Sequence, residues 1–153
     1  MKCIESTQVT RSIRLAIITS RFNTSVTQKL FDGAKARLNY HGIDDESVTA
    51  VWVPGAIEIP LVASTFAKQG NVDAIVCLGA VIRGETSHYD YVCSQVSEGC
   101  AKVSDRFDLP VIFGVLTTEN AAQAFARCGG PPGHVGKSSI DTALAMIRVL
   151  DEL

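Results

Sequence analysis

The segment Gly79-Ala80-Val81-Ile82-Arg83-Gly84-Glu85-Thr86-Ser87-His88 gathers a glycine turn, two hydroxyls and a lone imidazole at one place. The apolar run Ala74 to Leu78 leads into it, and an amphipathic segment beginning near Tyr89 leads out. This order predicts a buried strand that delivers a polar loop, with the loop opening a helix. In parallel α/β proteins such corners, outside the carboxyl ends of the strands, are where ligands bind. Backbone N–H groups at a helix start attract an anion, and a histidine moves protons near neutral pH. An anion cradle beside a proton shuttle points to chemistry on a small phosphorylated compound. A histidine at a helix start can also be a plain capping or surface residue, the reading that suits His41 beside Gly42. His88 differs because Gly84 and Thr86 surround it with an anion-binding loop. His134, in a glycine-rich stretch, carries no such signal.

Other corners offer further functional groups. Ser20-Arg21-Phe22-Asn23 follows an apolar run, and Phe22 is either a hydrophobic plug or a plate on which a flat ligand stacks. Asn23 offers a donor and an acceptor to a heterocycle or a polyol. It could instead cap the next helix, as could Thr24. In Pro54-Gly55-Ala56-Ile57-Glu58 the glycine lets backbone approach a ligand closely. Glu58 either favours a helix dipole or accepts hydrogen bonds from a polyol. The run from Phe113 to Asn120 has Phe113 as a core candidate and Thr118 as an N-cap for the next helix. Arg127 either complements a helix end or clamps phosphate with a charge-assisted fork.

The elements that must position these groups can be read from periodicity. Apolar, β-branched runs at Ile13–Ile18, Val48–Val53, Ala74–Ala80 and Val111–Leu116 do not alternate strictly, which predicts strands covered on both faces. Helical spacing fills the intervals: Val26–Tyr40, Ile57–Lys68, Tyr91–Phe107, Ala121–Cys128 and Ser139–Leu150. Strand–helix alternation with right-handed crossovers predicts a three-layer α/β/α sandwich around a four-stranded parallel sheet, flavodoxin-like in architecture. Residues 1–153 read as a single domain, with residues 1–10 as an N-terminal arm. Gly129-Gly130-Pro131-Pro132-Gly133 reads as a rigid loop inside that domain. A flavin-mononucleotide carrier would need a Ser/Thr/Gly phosphate loop where Arg21-Phe22-Asn23 stands. A response-regulator receiver would need acidic residues there.

Composition narrows the function classes. A net charge of −2 with no run of Lys or Arg gives no footprint for nucleic acid or an anionic membrane. No apolar stretch reaches the roughly 20 residues that span a bilayer. Met1–Thr10 is polar and mixed, which predicts no secretory leader. The five cysteines are scattered without a C-x-x-C pair, so neither zinc nor a disulfide framework is expected. Reduced thiols and a cytoplasmic location fit best, with Cys77 packed as a small hydrophobe.

Taken together, Ser20 to Asn23, Val53 to Pro60, Leu78 to His88 and Pro110 to Asn120 resemble the lumazine synthases, in order and over nearly the whole chain. That family catalyses the penultimate step of riboflavin biosynthesis. It condenses 5-amino-6-(D-ribitylamino)uracil with 3,4-dihydroxy-2-butanone 4-phosphate to 6,7-dimethyl-8-ribityllumazine, releasing phosphate and water. The resemblance implies no metal and no organic cofactor. It implies that Phe22 and Asn23 meet the pyrimidine, with Phe113 on the other side of the pocket. Ala56, Ile57 and Glu58 would hold the ribityl chain, and Val81 and Ile82 would line the heterocycle. Gly84, Glu85 and Thr86 would bind phosphate with Arg127 as the clamp, and His88 would transfer protons.

The resemblance further implies a homopentamer with active sites between subunits, Phe113 and Arg127 coming from the neighbour. Some family members stop at pentamers or decamers, and others close into sixty-subunit shells. Cys3 to Gln8 would add a strand to a neighbour's sheet. One position departs from the family pattern: Val135 stands where a phosphate-binding lysine is usual, with Lys137 two residues on.

Overall fold

The computed structural model describes residues 1–5, 9 and 11–153. The expected N-terminal strand at Cys3 to Gln8 falls partly outside them. Four strands form the main sheet: β1 (Leu15–Ser20), β2 (Val48–Val53), β3 (Ala74–Ile82) and β4 (Val111–Thr118). They pair in the order β2-β1-β3-β4, all parallel. The helices are α1 (Thr24–Tyr40), α2 (Ile59–Gln69), α3 (His88–Phe107), α4 (Ala121–Ala126) and α5 (Val135–Glu152). This is the three-layer sandwich that the alternation of runs predicts.

The pleat sorts each central strand between two cores. Leu15, Ile17, Ala74, Val76, Leu78 and Ala80 face α1 and α5 and pack with Leu30, Ala34, Ile140 and Ile147. Ala16, Ile18, Ile75, Cys77 and Val81 face the other way, toward Ile59 and Ala63 of α2 and Val96 and Cys100 of α3. Both faces being covered is why β1 and β3 read as continuous apolar runs rather than alternating ones. Each large aliphatic side chain removed from water here contributes about 1.5–3 kcal/mol. Cys77 is fully buried, its sulfur 3.9 Å from that of Cys100.

Helix α3 begins at His88, three residues before the expected Tyr91, and two further features differ more from the sequence-based expectation. The Gly129–Gly133 loop is a small antiparallel hairpin, β5 (Cys128–Gly130) against β6 (Gly133–His134), with Gly129 and Gly133 at positive φ. And α5 begins earlier than its periodicity indicated, because His134 acts as its N-cap: Nδ1 accepts from the Lys137 N–H at 3.4 Å. Burial, and then the nearby Lys137 charge, push His134 below the usual imidazole range. The neutral ring is the form that can accept this bond.

Helices α1 and α5 lie against each other through small residues. The His134 ring occupies the space above Gly33, and the Leu30 carbonyl lies directly over Gly136; a Cβ at either glycine would collide with these groups. Alongside, Asp141 Oδ1 accepts from Arg37 Nε at 2.7 Å and lies 2.7 Å from His41 Nε2. Burial works to raise the Asp141 carboxyl, but these two partners outweigh it and hold it below its ordinary range. Gly136→Ala is expected to destabilise the protein by about 1–3 kcal/mol through overpacking, read as a lower urea midpoint with an unchanged slope.

Candidate active site

The carboxyl ends of the four strands carry the corners singled out in the sequence. After β1 the ladder to β2 continues without strand geometry: the Arg21 and Phe22 N–H groups donate to the Val53 and Pro54 carbonyls at 2.8 and 3.0 Å. The first two corners are thereby locked side by side. Asn23 takes a left-handed conformation (φ 59°), which Asn tolerates better than most residues. Its side chain does not cap α1. Nδ2 instead donates to the Ala80 carbonyl at 2.8 Å, and Thr24 Oγ1 donates to the Arg21 carbonyl.

Asn23 can reach Ala80 because β3 outruns its neighbour. Pairing of β1 with β3 ends at Thr19 opposite Leu78, whereas β3 and β4 stay paired to Ile82 opposite Thr118. The β1-facing edge of Ala80 to Ile82 opens into a cleft of about 390 Å³. That volume suits a small ligand. Of the residues expected at the site, Phe22, Asn23, Ala56, Ile57, Glu58, Val81, Ile82, Gly84, Thr86 and His88 all line this cleft.

Each has a definite local role. Phe22 stands at the rim, 71% exposed, so it does not plug the core. Glu58 Oε2 accepts from the Gly55 N–H at 2.9 Å across a short 3₁₀ turn (Ala56–Glu58) that leads into α2. The Thr86 hydroxyl oxygen accepts from the His88 N–H at 3.3 Å, at the exposed start of α3. A Cβ at Gly84 would meet open space, so the Gly84–Ser87 loop leaves room above its backbone.

The structure adds Tyr89 and Val92 to the lining. Burial, then a hydrogen bond to Cys93, raises the Tyr89 phenol above its usual range. Val92 lies four residues beyond His88 on the same helix, the spacing that puts two side chains on one face and could have placed it there. Tyr89, one residue beyond, carries no such signal.

Glu85, Phe113 and Arg127 do not line the cleft. Glu85 is exposed on the loop, and Phe113 is 41% exposed on edge strand β4. Arg127 is the C-cap of α4, with Nη1 donating to the Gln123 carbonyl at 2.9 Å. Thr118 is buried at the end of β4 and donates to the Asn120 carbonyl; Asn120, not Thr118, caps α4, accepting from the Gln123 N–H at 2.9 Å. Val135 packs against the α1-side core while its N–H donates to the Arg127 carbonyl, and Lys137 is exposed.

Among the described residues, the cleft is lined by one imidazole and one carboxylate, with neither Lys nor Arg. A larger concavity, about 650 Å³, opens beside Ile13, Tyr40, His41 and Asp141, near the amino ends of the strands. Its charged groups are engaged with partners: Asp141 with Arg37 and His41, and Arg11 with Asp73 and Asp151. The smaller cleft is the one with a helix start, a glycine loop and an imidazole together.

Residues 12–151 match the family model of 6,7-dimethyl-8-ribityllumazine synthase. The chain belongs to the lumazine synthase family. Proteins of Coxiella burnetii strains CbuG_Q212 and RSA 493 / Nine Mile phase I, both named 6,7-dimethyl-8-ribityllumazine synthase, are 51% identical to it over 142 residues. The match covers 93% of this chain and 94% of each relative. A third Coxiella burnetii protein of that name, from strain Dugway 5J108-111, matches to the same extent. The four corners that carry the lumazine synthase resemblance thus lie together at the carboxyl end of the parallel sheet.

Asn23→Ala would lose the bond to Ala80 and strain the left-handed turn. A loss of about 1–3 kcal/mol in unfolding free energy is expected. Asn23→Gly keeps the backbone conformation and should fall between wild type and Asn23→Ala in urea denaturation.

Proposed function

We propose that this lumazine synthase joins 5-amino-6-(D-ribitylamino)uracil to 3,4-dihydroxy-2-butanone 4-phosphate in the cleft beneath Phe22. The observation that carries the reading is the convergence of an aromatic rim, an open β-strand edge, a glycine loop and His88 on one cavity. Phe22 stacks on the pyrimidine, where offset stacking adds about 0.5–1.5 kcal/mol beyond burial. The Ala56–Glu58 turn holds the ribityl hydroxyls, Glu58 accepting from them. Val81 and Ile82 meet the heterocycle along the open edge of β3. Gly84 and Thr86 hold phosphate through the loop, the Thr86 hydroxyl donating.

The chemistry moves protons at each stage. The pyrimidine amine attacks the ketone, and loss of one water leaves an imine. Loss of a proton from carbon then expels phosphate, with the electron pair leaving along the C–O bond. The enol so formed takes up a proton at its terminal carbon and becomes a ketone. The ribityl-bearing nitrogen closes the ring onto that ketone, and a second water departs. His88 accepts and returns these protons from the start of α3. Holding two substrates together supplies most of the remaining acceleration.

The absence of a basic side chain from the cleft lining, among the described residues, supports a site shared between subunits. A phosphate there needs a cation, and Arg127 from a neighbouring copy supplies it, with Phe113 of that copy closing the pocket. The assembly is a homopentamer. Leu61 on α2 and Tyr91 on α3, each more than 70% exposed, offer apolar surface for the contacts. With Val135 turned into the core, Arg127 does this work without a lysine at 135.

The direct test gives the purified protein both substrates and follows lumazine fluorescence against the spontaneous reaction; no stimulation by a folded oligomer would overturn the activity. His88→Ala is expected to lower kcat by about 10²-fold, the lower end of general acid–base effects, with little change in KM. Thr86→Ile places a branched apolar side chain in the phosphate loop. It should raise KM for the butanone phosphate by roughly tenfold or more, the scale of a lost charged hydrogen bond. Unchanged kinetics in Thr86→Ile would remove this loop from the phosphate site.

A further inference from the structure

The Gly84–Ser87 loop is exposed throughout and is followed by an exposed His88. Its two ends are joined by one side chain. The Arg83 backbone N–H donates to the Thr118 carbonyl at 2.9 Å, continuing the β3–β4 ladder by one residue. From there the guanidinium turns back over the loop's exit. Its carbon lies 4.2 Å from the centre of the Tyr89 ring, and Nη1 lies 3.4 Å from Asp90 Oδ1. Nε donates at 2.8 Å to Glu119 Oε2, beyond the end of β4. Glu119 is itself held, its N–H donating to Gln123 Oε1 of α4 at 2.9 Å.

The planar fork of a guanidinium suits such a three-way junction, which a lysine ammonium could not reproduce. With both carboxylates engaged, this arginine is committed to the protein rather than offered to a ligand. Glu119, then the nearby Asp90 and Tyr89, holds the Arg83 guanidinium above even its usual high range.

We infer that Arg83 is a positioning residue. It clamps the entrance and exit of the Gly84–His88 loop to the β4–α4 corner and so pre-forms the phosphate cradle and aims His88. The inference rests on the phosphate role proposed for the loop. Tethering both ends of a loop lowers the ordering cost of binding, so the effect should concentrate on the phosphorylated substrate.

Arg83→Ala and Glu119→Gln are the test variants, studied in the intact assembled protein. Each should speed amide hydrogen exchange across residues 84–88 by about tenfold or more, while amides of β1 and β3 keep wild-type protection. Each should raise KM for the butanone phosphate roughly tenfold and leave KM for the pyrimidine within about twofold, as expected when a pre-organised group is loosened. Arg83→Lys should recover only part of the loss. The double variant should be no worse than Arg83→Ala alone, because both changes break one contact. Unchanged exchange over 84–88, equal rises in both KM values, or lost protection across the whole sheet would each overturn the clamp. Should wild type form no lumazine, the proposed activity fails, and the exchange comparison still decides the clamp.

Discussion

Strand β3 is hydrogen-bonded to β1 only as far as Leu78, but to β4 as far as Ile82. Everything at the site depends on that unequal pairing. Had β1 continued beside β3, its backbone would have filled the cleft and satisfied the edge that a ligand can now meet. Instead the chain leaves β1 at Ser20, and one amide, from Asn23, covers the Ala80 carbonyl. A buried edge would cost free energy for each unpaired group. An edge opening into a solvated cleft does not, and it keeps directional donors and acceptors available. The left-handed Asn23 makes the exit abrupt enough for Phe22 to stand at the rim.

The two cores protect this arrangement differently. On the α2–α3 side the packing directly backs the cleft: Val81 lies at once in that core and in the lining. On the α1–α5 side the packing governs Arg127 from a distance, through the hairpin and the Val135 N–H that holds the Arg127 carbonyl. The notch at Gly33 and Gly136 fixes how α5 approaches α1, and with it the hairpin. Small residues far from the cleft therefore set where the Arg127 side chain can stand.

The layers, the parallel sense of the sheet and the corners around the cleft were legible because they arise from periodicity and from the placement of corners at strand ends. Val81 and Ile82 were placed only by the family resemblance, and Tyr89 and Val92 were missed. Side-chain partners were not legible. Asn23 and Glu58 each had two local readings. Asn23 bonds to Ala80, 57 residues away, while Glu58 bonds to its own turn at Gly55. Thr118 and Asn120 are both good capping types, and only the register of β4, which buries Thr118, decides between them. His134 looked inert because its role depends on Gly33, a residue on another helix. Arg83 was visible within the richest segment, but its partner Glu119 lies 36 residues on. Glycine-rich composition did not disclose the hairpin, since positive φ serves loops and tight turns alike.

The strand order has a consequence for how the chain emerges during synthesis. β1 is central, with β2 on one side and β3 on the other, and both of its faces are apolar. β2 can pair with it early, but its second edge must wait for β3. At synthesis rates of about 5–20 residues per second, the stretch from Val53, where β2 ends, to Leu78, the last β3 partner of β1, takes roughly 1–5 s. For that interval the nascent chain carries a half-paired, apolar β-strand, the kind of edge that invites aggregation. The most buried strand of the finished protein is thus its most vulnerable one on the ribosome.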